Sequence, residues 1–158
     1  MAIEELIGST WKLHHVGIPV WDLDKSLEDY KAVGAATFKP EFLIDSTKSA
    51  EYLVYGETPD PAVRTRAVLG EMGPLGIELL QPLQGETVHK ELLQSTGEGV
   101  GHVAYTVDDL EAETAKLVDR GFPVILSITP PGQKKRSVVY IDTRARFSNL
   151  IIELMQAR

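Results

Sequence analysis

The chain repeats itself, and this repeat restricts its possible folds more than any other feature. The segments HHVGIPVWDL (residues 14–23) and GHVAYTVDDL (residues 101–110) align with His15 over His102. A repeat at one fixed offset in a chain of 158 residues indicates two copies of a single supersecondary unit. The alignment continues in register with Asp22 over Asp109 and Gly34 over Gly121.

Each copy begins with a pattern typical of a half-buried strand. In the first copy, Val16, Ile18 and Val20 alternate with smaller residues, so the bulky side chains share one face. We expect that face to pack against helices. His15 lies on the opposite face beside small residues, and the second copy repeats this arrangement with His102.

A helix is predicted after each of these first strands. Asp22 and Asp109 are suited to cap the helix N-terminus, because aspartate accepts hydrogen bonds from free backbone N–H groups. Gly34 and Gly121 are placed to end the helix, where a left-handed residue is favoured. Further strands follow in both copies, so the predicted unit is strand, helix and three strands, written βαβββ.

The predicted organisation is one domain over residues 1–158. It consists of a module at 11–82 and a module at 100–157, joined by a linker at 83–99. The first module carries extra residues, which we place mainly in the proline-containing segment 40–65. Two such units related by a pseudo-twofold axis would form an α+β fold whose first and last strands line one concave face.

Two glutamates also occupy equivalent places near the ends of the copies. Glu78 lies in GIELLQP and Glu153 lies in LIIELMQA, both among aliphatic residues. A carboxylate in such a strand needs either solvent or a partner, because burying it unpaired costs several kcal/mol. On a shared concave face, both glutamates would meet His15 and His102.

Two imidazoles and two carboxylates form a donor set for a divalent ion such as Co, Zn, Ni, Mn or Fe, and the set is too rich in nitrogen for Ca²⁺. A single strand histidine is more often structural, and a single strand glutamate more often faces water. The repetition of the pair favours ligands. Of the other histidines, His14 does not align with His102, and His89 is expected to be exposed on a polar helix.

Composition excludes several functional classes. The chain has no cysteine, so disulfides, thiolate metal sites and a cysteine nucleophile are excluded. A net charge of −7 argues against nucleic acid as a partner. We also expect no membrane association, because no apolar run approaches the length of a membrane span. The N-terminus lacks the pattern of a signal peptide, and we expect a cytoplasmic protein.

These residues resemble the vicinal oxygen chelate superfamily, which includes glyoxalase I, methylmalonyl-CoA epimerase, extradiol dioxygenases and bleomycin-resistance proteins. HVGIPVWDLDKSLEDY and GHVAYTVDDLEAETAKLVDRGF look like its two module openings. The stretch GIELLQPLQGETVHKELLQSTGEGVGHVAYTVDDL looks most like methylmalonyl-CoA epimerase. The resemblance implies a half-open, glyoxalase-like barrel of two βαβββ modules around one divalent metal ion. It assigns the metal ligands to His15, Glu78, His102 and Glu153.

The resemblance also implies a reaction. It predicts a metal-dependent epimerase or isomerase that removes a proton next to a carbonyl, with the metal stabilising the enolate. The expected substrate is a small molecule, a methylmalonyl-CoA-like acyl-CoA. Glu153 is the expected base, because a last-strand glutamate of this family can leave the metal and take a proton. Glu57 is the candidate second base, although GETPDP around it is also typical of a solvated turn.

Three other functions stay open at this point. A lactoylglutathione lyase of the glyoxalase I type uses the same four ligands in bacterial forms. An Fe(II) extradiol dioxygenase uses two histidines and one glutamate, which leaves Glu78 without a role. A metal-free drug-sequestering protein usually lacks the ligand set.

Basic residues offer further contacts to a substrate. Arg66 lies on a predicted strand and could hold a substrate carboxylate, and the basic run 134–136 could meet the phosphates of CoA. Arg66 could equally be an edge-strand charge, and a basic run before a strand is more often a solvated hairpin. The resemblance also implies a homodimer.

Overall fold

The computed structural model describes residues 8–158, so the segment on which the signal-peptide expectation mainly depends lies outside the described residues. Within them the chain forms three α-helices, ten strands and one 3₁₀ turn. The helices are α1 (Leu23–Val33), α2 (Val88–Thr96) and α3 (Leu110–Val118), and the 3₁₀ turn is Ser46–Lys48. The strands are β1 (Lys12–Pro19), β2 (Thr37–Phe38), β3 (Phe42–Asp45), β4 (Glu51–Val54), β5 (Arg64–Met72), β6 (Leu75–Gln84), β7 (His102–Val107), β8 (Val124–Thr129), β9 (Val138–Ile141) and β10 (Ile151–Gln156).

The strands form one mixed sheet in which the repeat is visible. Its order is β2-β5-β6-β1-β7-β10-β9-β8-β4, and β3 also pairs with β5. In each half the first strand pairs in parallel with the last, β1 with β6 and β7 with β10. The antiparallel pair of β1 and β7 joins the two halves. The predicted α+β class is confirmed.

The connection between β3 and β4 requires the sheet to curl. These two strands lie at opposite ends of the sheet, yet only residues 46–50 separate them. Eight strand spacings in a flat sheet would cover about 38 Å, whereas six residue steps reach about 21 Å at most. The sheet therefore curls into a half-open barrel, and segment 46–50 crosses its open side.

The segment 40–65 holds most of what distinguishes the first half. Pro40 separates β2 from β3, because proline cannot donate a ladder hydrogen bond. β4 then leaves its own half and pairs with β8 of the other half. This long-range pairing could not be anticipated from local pattern.

The helices pack on the outer face of the sheet or close one end of the barrel. The predicted N-terminal caps are confirmed: Asp22 accepts a hydrogen bond from Lys25 N, and Asp109 accepts one from Ala112 N. The predicted stop at Gly121 is displaced, because α3 already ends at Val118 with Asp119 as its C-terminal cap. Gly34 ends α1 in the left-handed conformation, with φ of 67°. Within the described residues, no helix has the length and apolar character that crossing a membrane requires.

Candidate metal centre

The four sequence-predicted ligands lie on the four central strands. In sheet order, these are Glu78 on β6, His15 on β1, His102 on β7 and Glu153 on β10. Gly17 of β1 is the cross-strand partner of both Glu78 and His102. Because Gly17 has no side chain, the His102 ring can occupy the space beside it. Strand order and register therefore bring all four side chains to one place.

Their donor atoms converge on the inner face of the barrel. His15 Nε2 lies 3.2 Å from Glu78 Oε2 and 3.4 Å from Glu153 Oε2. His102 Nε2 lies 3.0 Å from Glu153 Oε2 and 3.6 Å from Glu78 Oε2. The two Nε2 atoms are 3.2 Å apart. All four residues are buried, and His102 is completely inaccessible.

These distances fit one divalent transition-metal ion. Nitrogen and oxygen ligands bind such an ion at about 2.1 Å, which separates neighbouring ligand atoms by about 3.0–3.4 Å. Glu153 Oε2 is buried close to two imidazole nitrogens, yet it has no hydrogen bond of acceptable geometry. An oxygen placed in this way is better suited to a shared cation than to either imidazole. The cluster could therefore hold a metal ion.

Burial and mutual contact set the charges of the cluster. Burial alone would lower the pKa of His15, but contacts with Glu153 and Glu78 outweigh it and raise that pKa to about 9. The same contacts raise the pKa of His102 against the effect of burial. Burial would raise the pKa of Glu153, but its contacts with the two histidines lower it. Without a metal, protons held by the imidazoles offset the charge of the carboxylates, and a divalent cation that binds here displaces such protons.

A cavity of about 270 Å³ opens beside the cluster, and His15, Glu78 and Glu153 form part of its wall. Most of the remaining wall is apolar or aromatic. It includes Phe42, Ile44, Leu69, Leu126, Ile128 and Val138. No lysine or arginine is among the described residues that line this cavity. The cavity beside the cluster is therefore compact, and its wall carries no lysine or arginine side chain.

A sequence model of the glyoxalase/bleomycin resistance protein/dioxygenase superfamily matches residues 14–140, which is most of the chain and ends before β10. The chain belongs to this superfamily. Among curated protein sequences, none matches the chain significantly. The assignment to the glyoxalase superfamily confirms the resemblance predicted from the two module openings.

Solved structures with the glyoxalase-superfamily fold match nearly the whole chain. A hypothetical protein from Bacillus halodurans C-125 has a TM-score of 0.67 at 20% identity, covering 95% of this chain and 96% of that one. Methylmalonyl-CoA epimerase from Mycobacterium tuberculosis has 0.66 at 23% identity, covering 98% and 94%. A Streptomyces coelicolor methylmalonyl-CoA epimerase variant, in complex with 2-nitronate-propionyl-CoA, has 0.63 at 20% identity, covering 92% and 96%. At these identities the similarity shows the fold.

His14 contacts the cluster from its exposed side. Its Nδ1 atom lies 2.7 Å from Nδ1 of His15, so one ring donates and the other accepts. The regular pairing of β1 with β7 shifts between Leu13 and His15, which places His14 beside its neighbour's ring. A partner on the second ring nitrogen fixes the orientation of a ligand histidine. His14 therefore orients His15, while His15 itself points into the cluster.

The expected exposure of His89 was wrong. His89 is 3% exposed, and its ring centroid lies 5.7 Å from that of His102 and 5.4 Å from that of Tyr140. Val88 and Leu92 of α2 are buried with it, because this face of the helix closes one end of the barrel. Burial lowers the pKa of His89 to about 4, so its imidazole is neutral. All four histidines of the chain thus gather at one place.

Glu57 is not brought to the cluster. It is exposed in the loop after β4 and lines a separate groove with Pro59, Asp60 and Glu86. The cavity beside the cluster does not include it. Its role as a second base stays a prediction.

The basic residues considered for substrate binding lie outside the cavity. Arg66 forms ion pairs with Asp24 and Glu41 on the outside of the first half. Arg136 forms an ion pair with Glu111 of α3. Since these guanidinium groups are paired with carboxylates at the surface, their visible role is to connect strands with neighbouring segments.

Proposed function

We propose that the protein is a metal-dependent epimerase or isomerase that removes a proton next to a carbonyl. Its first candidate substrate is an acyl-CoA of the methylmalonyl-CoA type. The observation that carries this proposal is the buried cluster of two histidines and two glutamates in the wall of an apolar cavity. Methylmalonyl-CoA epimerases are among the similar folds, and one of those structures is a complex with methylmalonyl-CoA.

The metal would be held by His15, Glu78, His102 and Glu153. Imidazole and carboxylate donors are compatible with Co, Zn, Ni, Mn and Fe(II). When bound, such an ion acts as a Lewis acid that polarises a carbonyl and favours loss of the neighbouring proton. His14 holds the ring of His15 in place through the contact between their Nδ1 atoms.

Glu153 is the proposed base. Contacts with the histidines outweigh burial and lower the pKa of its carboxyl group, which is therefore ionised at neutral pH. Glu153 also lines the cavity, so its carboxylate, once it leaves the metal, can accept a substrate proton. Burial, together with the charges of Glu153 and Glu78, holds the pKa of the neighbouring Tyr140 well above its ordinary range. The apolar wall excludes water from the proton transfer.

In D₂O, the metal-loaded protein is expected to exchange the α-hydrogen of methylmalonyl-CoA for deuterium, as measured by mass spectrometry. Glu153→Gln should slow the exchange about 100-fold or more, since a positioned base contributes about 10²–10⁴. Glu71→Gln is the matched control, because Glu71 is an exposed glutamate at the end of another strand of the sheet. Exchange no faster than without protein would contradict the acyl-CoA proposal.

Metal binding is expected to release protons at pH 7. His15, with a pKa of about 9, carries a proton there and must lose it to become a ligand. The apparent metal affinity should therefore rise with pH and level off above about 9. Isothermal titration of Co²⁺ in two buffers with different ionisation enthalpies measures the number of protons released. Equal heats in both buffers at pH 7 would contradict this assignment.

Lactoylglutathione lyase of the glyoxalase I type is the second candidate, because its bacterial forms use the same four ligands. Turnover of the hemithioacetal of methylglyoxal and glutathione tests it directly.

A metal-free drug-sequestering protein would contain no metal when purified without added metal and would take up neither Co²⁺ nor Ni²⁺. The homodimer and the cytoplasmic location stay part of the proposal, and light scattering tests the dimer.

A further inference from the structure

A row of apolar and aromatic side chains crosses the inner face of the barrel beside the cluster. Its members, each the direct cross-strand partner of the next, are Tyr52 of β4, Ile128 of β8, Val138 of β9 and Met155 of β10. All of them line the cavity. Direct partners in an antiparallel sheet hold their Cβ atoms about 5 Å apart on one face. The four side chains therefore form a continuous surface, which we call the apolar row.

The apolar row lies close to the proposed base. Met155 and Glu153 are two residues apart on β10, so their side chains share the inner face at a spacing of about 7 Å along the strand. In the other direction along β10, Ile151 pairs with His102, whose ring contacts His89 of α2. The row is therefore on the side of the cluster away from α2, toward the open end of the barrel.

The side chains around this space are incompletely covered. Ile128, Val138 and Met155 are half-buried, although they point into the barrel and line the cavity. On β3, Ile44 is also half-buried and Phe42 is 40% exposed, and both line the same cavity. Single apolar side chains on an outer surface are ordinary, whereas a contiguous apolar surface inside a cavity marks a place for an apolar ligand group.

Size and charge restrict the group that this surface can bind. The cavity measures about 270 Å³, whereas an apolar cavity of about 150 Å³ already holds a benzene ring. A methyl group would leave most of the apolar row in contact with water. A carboxylate would be buried near Glu78 and Glu153, with no lysine or arginine among the described lining residues to compensate its charge. The space suits an uncharged hydrocarbon group of about six carbons, next to the atoms that reach the cluster.

We propose that the substrate carries an uncharged hydrocarbon group of about six carbons, which lies against the apolar row while the reacting carbon lies at the cluster. The inference rests on the proposed function for one point, namely that two substrate oxygens bind the metal side by side. In a malonyl thioester, the hydrocarbon group would replace the methyl substituent of methylmalonyl-CoA. Part of the wall, Phe42, Ile44 and Tyr52, belongs to segment 40–65, so the segment that distinguishes the first half also builds this part of the site.

Linear hydroxamic acids with side chains of one to ten carbons serve as probes, because their two adjacent oxygens chelate a metal. Isothermal titration with Co²⁺-loaded protein is expected to show about threefold tighter binding for each methylene added up to about six carbons, and no gain beyond about eight. At about six carbons, a version that ends in a carboxylate should bind at least about tenfold more weakly than the version that ends in a methyl group.

Two substitutions in the apolar row should shift the best chain length in opposite directions. Val138→Phe fills part of the space and should move the tightest binding to chains shorter by about two to three carbons. Ile128→Ala enlarges the space and should move it to chains longer by about two to three carbons. In both variants the affinity for the one-carbon probe and the Co²⁺ content should stay unchanged.

Leu53→Ala is the matched control. Leu53 is a half-buried aliphatic residue next to Tyr52 on β4, but strand alternation turns its side chain to the opposite face, and it does not line the cavity. This variant should keep the best chain length of the unchanged protein. Because the best length is a comparison of probes within one protein, a loss of stability in a variant does not alter it.

An affinity that does not depend on chain length would overturn the inference, as would tighter binding of the carboxylate version or the same best length in all four proteins. If no hydroxamic acid binds the Co²⁺-loaded protein, the inference also fails, because no oxygen pair reaches the metal. A preference for about six carbons without hydrogen exchange in methylmalonyl-CoA would support the apolar row as a binding site and contradict only that substrate. Exchange in methylmalonyl-CoA without any length preference would contradict the inference and leave the proposed function in place.

Discussion

His102→Ala is expected to lose metal binding and, with it, the proposed hydrogen-exchange activity. His102 is the most buried of the four residues, and its Nε2 atom lies within 3.6 Å of both glutamates. The substitution removes one of the four proposed ligands and leaves two buried carboxylates facing a single imidazole. We expect the apparent affinity for Co²⁺ to fall at least about 100-fold, by comparison with the 10–100-fold cost of losing only an outer-shell partner.

Metal content measured by inductively coupled plasma mass spectrometry after reconstitution checks this result. The four histidines all lie at the site, so a histidine elsewhere cannot serve as the control. Thr106→Ala is the better choice, because Thr106 lies on the same strand and the same face as His102 but outside the cluster. Stoichiometric metal in a folded His102→Ala protein would refute the ligand assignment.

Much of this site was predictable because the repeat supplies its own internal comparison. A single histidine or glutamate on a strand says little, whereas His15 with His102 and Glu78 with Glu153 recur at equivalent places. Strand alternation then fixes which face each side chain occupies. The helix caps were predictable for a simpler reason, since Asp22 and Asp109 form hydrogen bonds within three residues.

What the sequence could not predict depends on contacts between distant segments. The pairing of β4 with β8 joins one half to the other. No local sequence pattern identifies β8 as the partner of β4. The burial of His89 was only weakly indicated by the sequence. Val88 and Leu92 are one helical turn apart, as are His89 and Leu93, so an apolar face includes the histidine. The many polar residues of the segment led to the prediction of an exposed helix.

Gly17 shows how closely the backbone and the cluster depend on each other. Its strand neighbours on either side are Glu78 and His102. A Cβ atom at this position would lie 1.8 Å from Cε1 and 2.1 Å from Nε2 of His102. The reason for glycine here is therefore space for an imidazole ring. Since the ring is fully buried, it cannot move aside without displacing other groups of the cluster.

We therefore expect Gly17→Ala to displace His102 and to remove metal binding almost as completely as His102→Ala. Overpacking of this kind costs about 1–3 kcal/mol or more, which lowers Tm by roughly 2–12 °C in a domain of this size. In the His102→Ala background, the ring that the new methyl group would strike is gone, so the same substitution should cost less than about 1 kcal/mol. Thermal unfolding of the four proteins in this double-mutant cycle, all metal-free, measures the difference. Additive costs would mean that Gly17→Ala acts on the strand itself, because a clash with the His102 ring predicts strong coupling between the two sites.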